Sequence, residues 1–151
     1  MIVDISKKIL IVGIGLLGGS YAKALKRFGF HISAITKEQS SIDYAIRENI
    51  IDEGSTELDE KIIQDADLVI FALYSHVFVE WIEQNQKLLK SGALITDVTG
   101  VKCSVVYKIQ GMLRSDVEFI AAHPMAGREV SGVENSTDKM FAGANYIVTP
   151  T

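Results

Sequence analysis

Six residues near the N-terminus have the spacing of a phosphate-binding turn: Gly13, Ile14, Gly15, Leu16, Leu17 and Gly18. This Gly-x-Gly-x-x-Gly motif follows an apolar run and opens an amphipathic stretch, the context expected of a strand that leads into a helix. The first glycine permits the turn, the second lets the backbone approach a diphosphate, and the third lets helix and strand pack closely. The N–H groups of the helix start favour an anion. The motif predicts a dinucleotide site, the alternative being a tight turn without a ligand.

The residues at the end of the predicted second strand bear on which dinucleotide binds. An acidic residue about 20 positions after the motif usually bonds the adenosine ribose 2′-OH of NAD. This sequence reads Thr36-Lys37-Glu38 there. Thr36 does not repel a 2′-phosphate and Lys37 attracts one, which favours NADP or weak discrimination. Alternatively, Lys37 is a solvated charge and Glu38 replaces the acid from one residue later.

Three later segments each follow a predicted strand, so they should meet at the same edge of a parallel sheet. They are Leu73-Tyr74-Ser75, Asp97-Val98-Thr99-Gly100-Val101-Lys102 and His123-Pro124-Met125-Ala126-Gly127. Imidazole has a reference pKa of about 6.5, which suits a general base near neutral pH. His123 is therefore the candidate base, the alternative being a histidine that only caps a strand end.

These segments resemble motifs of the prephenate and arogenate dehydrogenase family. The stretch 97–102 resembles that family's D-x-x-S-V-K segment, with Gly100 at the serine position. The stretch 123–133 resembles its H-P-[MI]-[AF]-G loop and the S-G-V that follows, and 141–150 resembles its F-x-G-x-x-x-I-L-T-P ending. The resemblance spans the whole chain, and H-P-M-A-G is far more specific than the glycine motif.

The resemblance implies an oxidative decarboxylation of prephenate to 4-hydroxyphenylpyruvate, with NAD or NADP as hydride acceptor. Arogenate, which carries an amine in place of the keto group, is the alternative substrate. The resemblance implies that His123 accepts the hydroxyl proton and that Lys102 balances a carboxylate or lies near the nicotinamide. Lys102 is alternatively a surface lysine beside a helix. Because Gly100 offers no hydroxyl to orient His123, Thr99 either supplies one or faces the nicotinamide.

The predicted site divides into a catalytic and a cofactor-binding set. The catalytic set is His123, Lys102 and Thr99. The cofactor-binding set is the six residues of the glycine motif with Thr36, Lys37, Leu73, Tyr74, Ser75, Thr99 and Gly100. No cluster of cysteine and histidine has metal-ligand spacing, so no metal is expected.

The elements that must position these residues follow from alternating apolar runs and amphipathic stretches. Strands are expected at 9–12, 32–36, 68–73, 93–96, 117–122 and 145–149. Helices are expected at 16–28, 41–48, 77–89 and 104–113, with Ser40 or Ser41 capping the second. Right-handed crossovers between such elements give an α/β, Rossmann-type doubly wound, mostly parallel sheet with helices on both faces. The longest irregular stretch is 123–138, and such a loop is usually functional.

Length and composition narrow the class of protein. The 151 residues fit one dinucleotide-binding domain, 1–151, and 48% hydrophobic with 23% charged residues is ordinary for a globular protein. A net charge of −4 disfavours nucleic acid as a partner. The N-terminus lacks the features of a signal peptide, and no apolar run approaches the roughly 20 residues of a membrane helix. The single cysteine fits a reducing cytoplasm, so a cytoplasmic protein with a small-molecule substrate is expected.

The resemblance also implies a second, helical domain that this sequence lacks. In the family that domain supplies the dimer interface and an arginine that holds the substrate, so a homodimer through it is expected. The alternative from another functional class is a non-catalytic dinucleotide sensor. A sensor needs the glycine motif but not the histidine segment, so His123-Pro124 argues against it.

Overall fold

The computed structural model of the chain describes residues 3–100, 102–126 and 130–149, with the backbone alone of 102–104. Strands and helices alternate along most of this length. The strands are β1 (Lys8–Val12), β2 (His31–Ile35), β3 (Glu53–Ser55), β4 (Leu68–Phe71), β5 (Leu94–Asp97), β6 (Glu118–Pro124) and β7 (Tyr146–Thr149). The helices are α1 (Leu16–Arg27), α2 (Gln39–Arg47), α3 (Glu60–Asp65), α4 (Ser75–Asn85) and α5 (Lys102–Met112), with 3₁₀ turns at Gln86–Leu88 and Val133–Asn135. No helix within the described ranges is long and apolar enough to cross a membrane.

The seven strands form one sheet in the order β3-β2-β1-β4-β5-β6-β7. All neighbouring strands are parallel except β6 and β7, which are antiparallel. The strand order reverses direction between β1 and β4, and ligands of such sheets bind where this reversal opens a crevice at the carboxyl ends of the strands. The predicted Rossmann-type, mostly parallel sheet is confirmed.

Two apolar cores cover the two faces of the sheet, so helices lie on both sides as predicted. Side chains alternate along β1: Ile9 and Ile11 face one core, whereas Leu10 and Val12 face the other. Helices α1 and α2 pack on the first core, and α3, α4 and α5 pack on the second. Full burial on both faces explains why the central strands read as unbroken apolar runs.

The start of α2 and the region after it differ from the sequence predictions. Ser40 and Ser41 lie inside α2, and the cap is Glu38, whose extended backbone ends the loop and whose carbonyl accepts from the Ser41 amide at 3.1 Å. The expected serine cap is therefore wrong. Neither β3 nor α3 was predicted. Strand β3 consists of three polar or small residues, which give no apolar alternation. Asp59, whose side chain accepts from the Ile62 amide at 3.1 Å, is the available signal for α3.

Strand β6 continues beyond its predicted end at residue 122. His123 and Pro124 lie on the strand and not in the loop after it. The reason is the partner strand: His123 pairs with Ile147 and Pro124 with Tyr146 on antiparallel β7. The ladder of β7 thus holds the histidine in regular structure.

The amino-terminal edge of the sheet predicts how stability depends on pH. A hydrogen bond from Lys90 holds the pKa of Asp67 below its ordinary value of 3.8; partial burial opposes this, and the Lys8 amide supports it. A lowered carboxyl pKa stabilises the fold above pH 3.8, and this stabilisation is lost as the pH falls through the folded-state pKa. Asp67→Asn should therefore reduce the free energy of unfolding near neutral pH by up to about 1 kcal/mol. Urea titrations across acidic pH should show the difference from the parent shrinking below pH 3.8; a constant difference would contradict the assignment.

Candidate functional site

The three motif glycines each occupy a place that the turn between β1 and α1 requires. Gly13 has φ of +92°, and a β-carbon there would lie 2.5 Å from the Ala72 carbonyl oxygen. A β-carbon on Gly18 would collide with the Gly13 carbonyl oxygen. A β-carbon on Gly15, by contrast, would meet nothing within 4 Å. The outer glycines close the turn, and the middle one leaves open space at the start of α1.

A cleft of about 1200 Å³ begins at this turn and lies at the carboxyl ends of β1, β2 and β4. Gly13, Ile14 and Gly15 form its floor, although the Ile14 side chain points into the core. Thr36, Lys37 and Glu38 line the side beyond β2, and Leu73 lines the side beyond β4. Helix α2 adds Tyr44 and Arg47, whose guanidinium lies 5.5 Å from the tyrosine ring centre. The cleft therefore gathers most of the predicted cofactor residues of the first half of the chain.

The segment after β6 crosses back and supplies a further wall of this cleft. Residues 131–134 line it together with the glycine turn. Val133 is 1% exposed and belongs to the core beneath α1 and α2. A β-carbon on Gly19 would lie 2.7 Å from the Ser136 hydroxyl oxygen, so the glycine lets the segment approach the helix.

Polar contacts along α1 hold the same segment. The Thr137 amide donates to the Ser20 hydroxyl at 3.1 Å, Lys23 donates to the Ser136 carbonyl, and Arg27 pairs with Asp138 at 2.8 Å. Farther along, the Tyr21 and Tyr146 hydroxyls lie 2.9 Å apart. Burial, followed by this hydrogen bond, raises the pKa of Tyr21 above its ordinary range, so the hydroxyl remains protonated. The sequence predicts a functional loop at 123–138 but not its contacts with α1, because these contacts join positions more than 100 residues apart.

His123 is half-buried on β6, and its ring is fixed from the neighbouring strand end. Its Nδ1 lies 3.0 Å from the Val98 carbonyl oxygen. A carbonyl can only accept, so Nδ1 carries the hydrogen and a neutral ring keeps its lone pair on Nε2. The Gly100 backbone lies beside the ring, where a β-carbon would sit 3.5 Å from Cε1 and 3.7 Å from Nε2. The arrangement leaves the lone pair of Nε2 available to accept a hydrogen bond or a proton.

Thr99 is 7% exposed, and its hydroxyl donates to Asp97 Oδ2 at 2.5 Å. The hydroxyl therefore does not donate to His123, which corrects one of the two roles considered for it. Asp97, for which the sequence predicted no role, is fully buried at the end of β5. A carboxyl group at the end of an apolar strand was the signal that could have identified it.

The remaining predicted residues are placed only in part. Tyr74 is 81% exposed just before α4, and Ser75 begins that helix. Lys102 begins α5, but its side chain lies outside the described structure, as do residues 127–129 of the histidine segment. Because Phe71 of β4 pairs with Asp97 of β5, the residues after these strands lie at neighbouring strand ends. The structure thus brings the cofactor cleft and the His123 region to one edge of the sheet.

Comparison with known proteins gives a family match. The sequence model of the family described as "Prephenate dehydrogenase, nucleotide-binding domain" matches residues 21–151. A prephenate dehydrogenase of Lactococcus lactis subsp. cremoris is 33% identical over 145 residues, which is 95% of this chain and 41% of that protein. The chain therefore spans less than half the length of this curated relative.

Solved structures agree in fold over nearly the whole chain. Prephenate dehydrogenase from Aquifex aeolicus, in complex with hydroxyphenyl propionate and NAD+, is 36% identical with a TM-score of 0.88. The match covers 96% of this chain and 51% of that one. Arogenate dehydrogenase from Synechocystis is 28% identical with a TM-score of 0.87, over 95% of this chain and 50% of that one.

The open space beside Gly15 predicts a separation of ligand binding from stability. Gly15→Val should weaken dinucleotide binding by more than about tenfold, because the branched side chain occupies the space a diphosphate needs. The free energy of unfolding should change by less than about 1 kcal/mol. Trp81, the single tryptophan, lines the cleft, so its fluorescence can follow titration with NAD and NADP.

Gly18→Ala is the matched control in the same motif. Its β-carbon must displace the Gly13 carbonyl, so it should reduce the free energy of unfolding by about 1–3 kcal/mol as well as affinity. If Gly15→Val binds as tightly as the parent, the motif is only a turn.

Proposed function

This chain belongs to the prephenate dehydrogenase nucleotide-binding domain family, and we propose that it carries the cofactor and the general base for oxidative decarboxylation of prephenate to 4-hydroxyphenylpyruvate. The observation that carries the proposal is the orientation of His123. Its Nδ1 is held by the Val98 carbonyl, which leaves Nε2 to accept a proton. The chain spans 41% of a curated relative, so the activity of the whole protein is part of the proposal.

The residues of the cleft fit a nicotinamide dinucleotide. The cleft of about 1200 Å³ exceeds the roughly 300–1000 Å³ of sites for drug-sized ligands. The space beside Gly15 lies at the start of α1, where N–H groups and the helix dipole favour a diphosphate. In this proposal Leu73, which lines the cleft, and Tyr74, Ser75, Thr99 and Gly100, which follow the neighbouring strands β4 and β5, would hold the nicotinamide half. When bound, the nicotinamide ring supplies the hydride acceptor.

The protein's own part in the chemistry is proton transfer and charge balance. His123 accepts the hydroxyl proton of prephenate at Nε2 as the hydride leaves the same carbon. After the ring carboxylate has left as carbon dioxide, the electron pair of the broken bond makes the ring aromatic and the proton returns from Nε2 to the ring oxygen. Between these steps the imidazolium still donates from Nδ1 to the Val98 carbonyl, so the histidine ring need not turn during the reaction. Lys102, placed by motif at the start of α5, balances a substrate carboxylate in this proposal.

Arogenate is the second candidate substrate, favoured by the likeness to the Synechocystis arogenate dehydrogenase. The two substrates differ in the side chain, at the amine or keto group, and not at the ring carbon that reacts. A non-catalytic dinucleotide sensor is disfavoured because a sensor has no use for an imidazole oriented as His123 is. Comparing turnover of prephenate and arogenate by a longer family polypeptide that includes this chain separates the two substrates.

The cellular location and the partners of the enzyme are also part of the proposal. The single cysteine and net charge of −4 support a cytoplasmic enzyme with a small-molecule substrate and without nucleic acid. A homodimer is expected to form through the helical domain that the family adds to this one.

The cofactor preference is proposed to lean to NADP. Thr36 and Lys37 lie beyond the end of β2, and Arg47 lines the same cleft, so two cations can attract a 2′-phosphate. Glu38 lines the cleft as well and is the residue that argues for NAD.

Substitutions of Thr36 and Glu38 test the proposed preference for NADP. Thr36→Asp should shift the ratio of dissociation constants toward NAD by roughly tenfold or more, because the carboxylate accepts from the 2′-OH and repels a 2′-phosphate. Glu38→Gln should leave NAD affinity unchanged if Glu38 is only a helix cap. If the parent binds NAD much more tightly than NADP, and Glu38→Gln abolishes that preference, Glu38 replaces the acid and the NADP lean is wrong.

Because these 151 residues span 41% of a curated relative, we expect them to bind cofactor by themselves without turnover. Correct positioning of reactants supplies about 7–11 kcal/mol of barrier reduction, so a site lacking one wall should be nearly inactive. The 151-residue chain should bind cofactor but reduce it negligibly with prephenate, as followed by reduced-cofactor absorbance.

In a polypeptide extended to the length of the relatives, His123→Asn should lower turnover by roughly 100-fold or more and leave cofactor affinity little changed. Robust prephenate-dependent reduction of the cofactor by the 151 residues alone would contradict the prediction that these residues bind cofactor without turnover.

A further inference from the structure

We propose that Asp97 is a positioning residue that sets the tautomer of His123 through the backbone between them. The inference rests on the proposed role of His123 as the general base. The hydrogen bonds of Asp97 among the described residues 3–100, 102–126 and 130–149 include those from Thr99 and Ala122, the neighbours of the contact that holds the imidazole. Asp97 holds the segment that contains the Val98 carbonyl, which binds the ring, and it holds strand β6, which carries His123.

The buried carboxyl group of Asp97 joins two strand ends. One oxygen, Oδ1, accepts from the Ala122 amide on β6 at 3.1 Å. The other, Oδ2, accepts from the Thr99 amide at 3.2 Å and from the Thr99 hydroxyl. A fully buried carboxyl group is costly unless hydrogen bonds compensate for the lost water, and donors from both sides provide them here.

These bonds enclose the contact on which the histidine depends. Val98 lies between Asp97 and Thr99, the two residues that Oδ2 ties together, and its carbonyl accepts from His123 Nδ1 at 3.0 Å. Ala122, which Oδ1 holds, directly precedes His123 on β6. Both partners of the Nδ1 hydrogen bond are thus attached to one carboxyl group. If the hydrogen bonds to this carboxyl group are lost, the Val98 carbonyl and the His123 ring are no longer held in position by the same side chain.

An asparagine at position 97 cannot reproduce this bridge. Its amide has one accepting oxygen, so its NH₂ group must face either the Ala122 amide or the Thr99 amide, and two donors then oppose each other. Asp97→Asn keeps the size of the side chain but breaks the connection at one end. Asp67→Asn is the matched control, because Asp67 also accepts from a backbone amide on a neighbouring strand, that of Lys8 at 2.8 Å, but at the opposite edge of the sheet.

The test is the tautomer of His123, measured by ¹⁵N NMR of the 151-residue chain in alkaline buffer, where the imidazole is neutral. The chain has three histidines, and the signals lost in His123→Asn assign the relevant ring. The parent should show Nδ1 protonated. In Asp97→Asn the ratio of the two tautomers should fall by roughly two- to twelvefold, the factor for losing one hydrogen bond. Asp67→Asn should leave the ratio unchanged, although it too perturbs the sheet.

Two results overturn the proposal: a parent with Nε2 protonated, or a folded Asp97→Asn with the parent's tautomer ratio. If Asp97→Asn does not fold, Thr99→Val replaces it, because this variant removes the hydroxyl donor to Oδ2 and keeps the carboxyl group. A shifted ratio in Thr99→Val then supports the proposal, and an unchanged ratio overturns it. Cofactor affinity, followed by Trp81 fluorescence on the same samples, tests the proposed function separately, since a domain that binds no dinucleotide contradicts that function whatever the tautomer.

Discussion

The close approach of the chain to itself at the turn after β1 constrains most of the cofactor cleft. The Gly13 carbonyl lies where any β-carbon on Gly18 would be, and Gly13 itself lies against the Ala72 backbone after β4. This contact fixes how α1 leaves the sheet, and hence where its N-terminus points. The same contact sets the distance between the ends of β1 and β4, which is the point where the strand order reverses. The position of the cleft follows from the turn, and its chemistry follows from the N–H groups the turn exposes.

Helix α1 also joins the second half of the chain to the first. The segment 131–138 lies along α1 through the gap at Gly19 and the contacts of Ser20, Lys23 and Arg27. The exposed Arg27–Asp138 pair contributes at most about 1 kcal/mol. Complete burial of Val133 is worth about 1.5–3 kcal/mol. Apolar burial therefore fixes this wall of the cleft, and the polar contacts set its register along the helix.

The sequence alone predicts the parts of this structure that depend on local pattern. The apolar runs identify six of the seven strands, and the glycine spacing identifies the turn at which a diphosphate is proposed to bind. Strand β3 escapes because Glu53-Gly54-Ser55 has no apolar alternation. The sequence does not predict the extension of β6 through His123, because this extension depends on pairing with β7, more than 20 residues away. The role of Asp97 escapes because its partners Thr99 and Ala122 are joined only when two strands lie side by side.

Because β6 pairs with β7, the position of His123 is fixed in a different way from that of the cleft wall at 131–134. A loop histidine would have to be ordered at each encounter with substrate, at a cost in conformational entropy. On β6 the backbone of His123 is already held by Ile147, and its ring by the Val98 carbonyl. Functional groups on strands are held more precisely than groups on loops. His123, the proposed base, is therefore part of the sheet, whereas the cleft wall at 131–134 is a crossing segment whose position depends on how it packs against α1. Adjustment on ligand binding should thus fall on the wall and leave the base in place.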